Sequence, residues 1–365
     1  STPSSRHLKE FPCHDHRPLP RRDLLVRSAL RRRLRVPRRA RPGSRRELAP
    51  LQRHRHRRRP QWLRQCAAAA FASAIATHTH DINLLLAVRM GEMWLPQLAR
   101  QLASIDQFAN GRLTVNIISS DIPGETLDSE PRYQRTLEWM QVLRLLLDGQ
   151  PIDFHGEFVD LTLDPPRART VDGRCPPFYF GGFSEAAKEV AAREADVFLT
   201  WPDTVASVGE TIAEMSSRAE RHGRSLITGL RTHVIVRETE AEALAAAERL
   251  VSRLDDSIGA EIRARSLDSA SVGVQRQAAL RESASDDGFA EENLWTGIGR
   301  ARSGAGAAIV GDPDQVLAKL EAYRDVGVEA FILSGYTHRA ECDLFAEHVL
   351  GRIEHAPLKP RWTRS

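Results

Sequence analysis

PFYFGGFSEAA, residues 177–187, compresses a whole structural unit into eleven positions. Phe178-Tyr179-Phe180 is an apolar run short enough for a buried strand. Gly181-Gly182-Phe183-Ser184 is a tight turn, and the alanine-rich residues after it read as a helix. A strand feeding a helix through a glycine turn is the repeating unit of a parallel α/β protein. The same alternation extends to both sides.

Upstream, Ile82–Arg89 (INLLLAVR) predicts a buried strand and residues 95–109 a helix closed by Asn110-Gly111. Leu113–Ile118 predicts a second strand running into Ser119-Ser120-Asp121, followed by a helix over about 131–148 and a hairpin-like excursion over 150–172. Downstream, Val197–Thr200 is a strand. The helix after it carries Val205, Val208, Ile212, Met215 and Ala219 as one apolar stripe, with Gly223 as its stop. A fifth strand is expected at Thr232–Val236, before an acidic helix over 239–254, and a sixth at Ala330–Ser334. Asp312 and Pro313 mark a helix start, as N-cap and first-turn proline. The weakly patterned stretch 256–306 reads as a lid or insertion. Six strands fit either an open doubly wound sheet or most of an eight-stranded barrel. The open sheet's glycine fingerprint is absent after the first strand, so the pattern favours a (β/α)8 TIM barrel.

The chain has 365 residues, 41% apolar and 27% charged, ordinary values for a globular protein. No apolar run reaches the roughly 18 residues of a membrane span, and no secretory signal is recognisable at the start. The four cysteines lie far apart, without metal-ligand spacing, which predicts a reducing cytoplasm. The net charge of +4 conceals an asymmetry: residues 1–65 hold 20 Arg and one Lys against four acidic residues, a net +17, leaving −13 for the remainder. Prolines at 18, 20, 37, 42, 50 and 60 interrupt the basic segment, which predicts disorder. Three readings stay open for it: a nucleic-acid arm, a solvated tail, or a GC-rich gene segment read out of frame. It lacks the interleaved aromatics of a nucleic-acid platform, so no nucleic-acid partner is expected, and the frame reading is preferred. The domain organisation follows: 1–66 basic segment, 67–356 barrel with the lid at about 256–306, 357–365 tail.

In such a barrel chemistry sits at the carboxyl ends of the strands. Here those ends carry Arg89, Asn116 with Ser119, Ser184, Thr200 with Trp201, Arg231 with His233, and Tyr336 with His338. Gly181, Gly182 and Ser184 suit an anion at a helix N-terminus, or simply a tight turn with a serine cap. Arg231 and His233 alternate on one strand and share a face. With Arg302 they are suited to holding an oxyanion. No zinc-protease, nucleophile-elbow or Walker motif occurs, which removes hydrolase and kinase readings.

Several of these segments together resemble the bacterial luciferase-like flavin monooxygenases, and within them the FMNH2-dependent alkanesulfonate monooxygenases. They include Leu86–Arg89 (LAVR), Asp106–Asn116 (DQFANGRLTVN), Pro131-Arg132-Tyr133, Pro177–Ala187, Phe198–Trp201 (FLTW), Leu230–Glu238 (LRTHVIVRE), Asn293–Gly311 and Phe331–His338 (FILSGYTH). The resemblance implies a barrel that takes FMNH2 from a separate NAD(P)H-dependent FMN reductase. With O2 it would oxidise an alkanesulfonate to an aldehyde and sulfite, in a cytoplasmic homo-oligomer. It implies Gly181, Gly182 and Ser184 at the flavin phosphate with Arg132 and Tyr133, and Asn116, Ser119 and Trp201 near the flavin. Arg231, His233, Arg302, Tyr336 and His338 would form the sulfonate and oxygen pocket, with no metal. An F420- or flavin-dependent oxidoreductase of the same superfamily acting on another substrate, or an inactive barrel remnant with a nucleic-acid-binding basic arm, is the alternative. Phe183 stands where the sulfonate monooxygenases tend to have a small serine, and Ser119-Ser120-Asp121 stands in place of their more usual threonine-glycine pair, which points to a different substrate. The family's first two strands would precede Ala67, where nothing matches. A six-stranded remnant with two open edges is therefore expected.

Overall fold

Short apolar runs followed by capped amphipathic helices generate the architecture. A computed structural model describes residues 61–122, 124–255, 257, 259–261, 271–301 and 304–356. All belong to one of the chain's two units, Arg58–Ser365. The expectations for residues 1–60 and 357–365 lie outside the described residues, and helix α1 (Gln61–Ala76) runs across the expected boundary at 66/67. The order continues β1 (Leu84–Arg89), α2 (Leu95–Ala109), β2 (Leu113–Ile118), α3 (Ser129–Leu147), the hairpin β3 (Ile152–His155) and β4 (Asp160–Leu163), β5 (Phe178–Phe180), α4 (Glu185–Glu194), β6 (Val197–Thr200) and α5 (Val205–Glu220). Then come β7 (Ile227–Val236), α6 (Glu240–Val251), α7 (Val272–Glu282), β8 (Phe289–Glu291), β9 (Leu294–Trp295), β10 (Ala308–Gly311), α8 (Pro313–Asp325), β11 (Ala330–Ser334) and α9 (His338–His348).

β1, β2, β5, β6, β7 and β11 pair in that order, every pair parallel. These are the six strands that the sequence predicts, and they form an arc of the (β/α)8 barrel class. Among the described residues no strand pairs with the outer edge of β1 or of β11. The fifth strand is longer than expected, beginning at Ile227 rather than Thr232. The stretch 256–306 holds more structure than its pattern predicts: α7, the β8–β9 hairpin and a 3-10 turn at Gly297–Ala301. β10 is an addition to the predicted set and extends β7 at its far end, Ala308 beside His233.

The caps follow sequence chemistry closely. Asp312 accepts from the amides of Asp314 and Gln315 while Gln315 reaches back, a capping box with Pro313 in the first turn. Asn110 ends α2 at φ 53°, a left-handed conformation that asparagine tolerates. The hairpin is fastened to α3 by one buried carboxylate. Glu138 accepts from the amides of Glu157 (3.0 Å), Phe158 (2.7 Å) and Val159 (2.9 Å). Glu138→Gln replaces one acceptor oxygen with a donor facing these amides, and is expected to cost about 1–3 kcal/mol. Urea titration measures it; an unchanged midpoint would show that the hairpin does not depend on this carboxylate.

β7 sorts the two sides of the arc. Its even-numbered residues Leu230 and Val234 join Val208, Leu320 and Tyr323 in the apolar layer under α5 and α8. Its odd-numbered Ile227 joins Tyr179, Val197 and Ile332 from β5, β6 and β11, the floor of the barrel interior. By alternation Arg231 and His233 share the inward face, two and three steps above Ile227 in that floor.

Candidate active site

Above the floor, at the carboxyl ends of β2, β5, β6 and β7, lies a cleft of ≈ 550 Å³. Its lining includes Asn116, Ser119, Arg132, Tyr133, Gly181, Gly182, Ser184, Trp201 and Arg231. Nine of the thirteen residues singled out in the sequence thus converge on one cavity, of a size typical of ligand sites. His233, Tyr336 and His338 form a neighbouring aromatic column. The His233 and Tyr336 rings stack with centroids 5.5 Å apart, and Tyr336 and His338 follow at 5.3 Å. His233 is buried, its Nδ1 2.9 Å from Ser334 Oγ. Arg302 lies outside the described residues.

The cradle explains its own composition. A Cβ at Gly181 would come within 2.0 Å of the Leu199 carbonyl oxygen, and one at Gly182 within 2.6 Å of Ala187 Cβ. Neither overlap can be relieved by a side-chain rotation, so both positions demand glycine. Ser184 caps α4, its Oγ accepting from the Ala187 amide at 3.3 Å. The two alternatives for this serine are therefore compatible, because a hydroxyl that accepts the cap bond still has a proton to donate into the cleft. The dipole of α4 points its positive end to the same place. Across the cleft Arg132 pairs with Asp121 Oδ1 at 3.3 Å and lies beside the Tyr133 ring. Ser119 Oγ accepts from Thr136 Oγ1 at 2.8 Å, which fixes its position.

Arg89 takes the plainer of its two readings. It is buried, donates to the Asp121 carbonyl at 3.0 Å and pairs with Glu92 at 3.3 Å. Burial raises the Glu92 carboxyl above its ordinary value, with Arg89 opposing.

Several lining residues carry no signal in the sequence. Asp128 and Ser129 enter from the start of α3, and Ser271, Val272 and Gly273 from the start of α7. Ser271 is a helix N-cap, its side chain accepting from the Val274 amide, and a serine preceding a helix was the one local clue. Phe183 and Trp201 meet edge to face beneath them, centroids 6.2 Å apart.

A cleft with a glycine turn and a helix N-terminus on one wall and an arginine on an inward strand suits phosphate-bearing cofactors and oxyanions. Among the described residues no group of three or more His, Cys, Asp or Glu could hold a metal ion. The luciferase-like monooxygenase family model matches residues 51–330. The chain belongs to that family of flavin-dependent monooxygenases. Among curated relatives it is 60% identical to a sulfoquinovose monooxygenase of Novosphingobium aromaticivorans over 79% of this chain and 82% of the other. It is 45% identical to the sulfoquinovose monooxygenase of Agrobacterium fabrum, covering 81% and 77%. Among solved structures it resembles a riboflavin lyase crystallised with modified FMN and riboflavin. That match has TM-score 0.62 at 16% identity, over 83% of this chain and 79% of the other. Among the described residues no helix is long and apolar enough to cross a membrane.

Proposed function

We propose that this chain is the oxygenase of a two-component system. It binds FMNH2 supplied by a separate NAD(P)H-dependent FMN reductase and uses O2 to convert a sulfonate to an aldehyde and sulfite. The sulfonate is a sulfonated sugar of the sulfoquinovose type, which narrows the alkanesulfonate suggested by the sequence. The observation that carries the reading is the convergence of the glycine cradle, Ser184, Arg132, Trp201 and Arg231 on one cleft. The reading in the cytoplasm follows from the reductase it needs.

The residues present suit FMN. The bare backbone of Gly181-Gly182 and the α4 N-terminus would take the phosphate, with the Ser184 hydroxyl and the Arg132 guanidinium as side-chain donors. Trp201 and Tyr133 would border the ring system. The bound flavin supplies the electrons that, with O2, insert one oxygen and release the other as water. Arg231, planar and always charged, would hold sulfonate oxygens through paired hydrogen bonds and stabilise the negative charge that leaves as sulfite. His233, two residues beyond Arg231 on β7, and Tyr336 stacked on it stand beside that cleft and would be the groups to pass protons.

Sulfite release from sulfoquinovose with enzymatically supplied FMNH2 tests the reaction, and no sulfite from any sulfonate would overturn it. Ser184→Ala tests the cradle. It removes both a helix cap, worth about 1 kcal/mol, and a donor to a charged phosphate, worth about 1.5–3 kcal/mol. FMNH2 affinity should fall roughly ten-fold or more, with a small drop in melting temperature. Unaltered affinity would place the phosphate elsewhere.

A further inference from the structure

One wall of the cleft is built with more care than holding a flavin requires. Phe183 projects from the turn between Gly182 and Ser184, and three groups fix its ring. Trp201 meets it at 62° between the ring planes. The Arg276 guanidinium lies 4.6 Å from its centroid. Gly273 backs both rings: a Cβ there would come within 2.9 Å of Trp201 Cζ3 and 3.1 Å of Phe183 Cδ2. Arg276 in turn donates to Asp203 Oδ2 at 3.0 Å and Ser207 Oγ at 3.2 Å. Gln277, on the same helix, donates to the Pro202 carbonyl at 2.7 Å and accepts from the Gly306 amide at 2.7 Å. Swinging the Phe183 ring aside would disturb this whole set, so the wall is fixed rather than adaptable.

We propose that Phe183 is the specificity-determining residue of the substrate subsite, favouring a compact, hydroxylated sulfonate over a linear alkanesulfonate. The inference rests on the sulfonate reading above. Phe183 lines the cleft, and a clamped ring there would narrow the room for an extended alkyl chain while offering an apolar surface to the C–H face of a sugar ring. Ser119, Asp121 and Ser271 line the same cleft. Such polar groups pair with sugar hydroxyls, whereas an alkyl chain would desolvate them without replacing their hydrogen bonds.

The test is a tryptophan-fluorescence titration of the flavin-free full chain with sulfoquinovose and with octanesulfonate. It uses the unsubstituted chain, Phe183→Ser and Phe183→Tyr. The unsubstituted chain should bind sulfoquinovose roughly ten-fold or more tighter than octanesulfonate. Phe183→Ser should erase or reverse that ratio, and Phe183→Tyr should keep it. An unchanged ratio in Phe183→Ser overturns the proposal, as does an unsubstituted chain that prefers octanesulfonate or binds neither. Circular dichroism checks folding; if Phe183→Ser unfolds, Arg276→Met must lower the ratio by loosening the ring, and an unchanged ratio again overturns it. Sulfite release by the FMNH2-supplied enzyme, run in parallel, separates the two readings. Sulfite from sulfoquinovose with an unmoved binding ratio removes Phe183 alone, whereas no sulfite from any sulfonate removes the reaction.

Discussion

Arg231→Ala is expected to lower kcat/KM for sulfite release by about 10²–10³-fold while leaving FMNH2 affinity within roughly two-fold. The separation follows from position. Arg231 rises from the inward face of β7, whereas the cradle is built on the β5–α4 turn, and both line the cleft. Its charge is matched to an oxyanion that becomes more negative as the carbon–sulfur bond breaks, so its loss weighs on turnover. Arg231→Lys keeps the charge without the planar pair of donors and should recover only part of the rate. Steady-state kinetics with an anaerobic flavin titration measures both quantities. Equal turnover in Arg231→Ala would remove this residue from the chemistry.

The opposite end of the barrel predicts a large effect of another kind. Asp196, just before β6, accepts from the Phe178 amide at 2.8 Å and pairs with Arg144 at 3.1 Å and Arg224 at 3.4 Å. Arg144 is buried, its guanidinium 4.5 Å from the Phe178 centroid. Burial works against its charge, but Cys175, Asp196 and Glu194 beside it raise its pKa, so it stays a cation inside the protein. Asp196→Ala deprives that cation of a partner and strands the Phe178 amide. The cost is expected to be about 3–5 kcal/mol, a large share of a typical domain's stability. Chemical denaturation measures it. A loss under about 1 kcal/mol would mean that Glu194 and solvent compensate. What refolds should retain normal flavin affinity, because the cluster lies at the amino ends of the strands.

The parts legible in the sequence were those where one residue's neighbours in the chain are also its neighbours in space. Buried parallel strands are continuous apolar runs, so β1, β2, β5, β6 and β11 announced themselves. The sequence shows only the second half of β7, because Thr228-Gly229 and Arg231 interrupt the first half; Gly229 and Arg231 lie on the inward face of the arc rather than under a helix. β10 was missed because Ala308–Gly311 is short and follows glycine-rich residues. The cradle was legible because strand, turn and helix are contiguous. The Phe183–Trp201–Gly273 wall was not, because α7 reaches it from far along the chain and presents no clear apolar stripe. Phe183 stood out only as a departure from the related enzymes, and its clamp had to be seen in three dimensions. Among the site residues, His233, Tyr336 and His338 stand beside the main cleft in a stack that strand alternation could suggest but not measure.

The length of β7 has a kinetic consequence. Its ten residues are shared among three strands: the Ile227 amide donates to Asp196 and the His233 amide to Ala307 along one edge, while Thr228 accepts from the Glu329 amide on the other. Neighbouring amide protons along this strand are therefore guarded by different partners, and all must part before the strand opens. In deuterium exchange, its amides should be among the last to label, whereas the β1 edge labels early. Arg231 and His233 then ride on one of the slowest-breathing segments among the described residues, and their geometry is set before any ligand arrives.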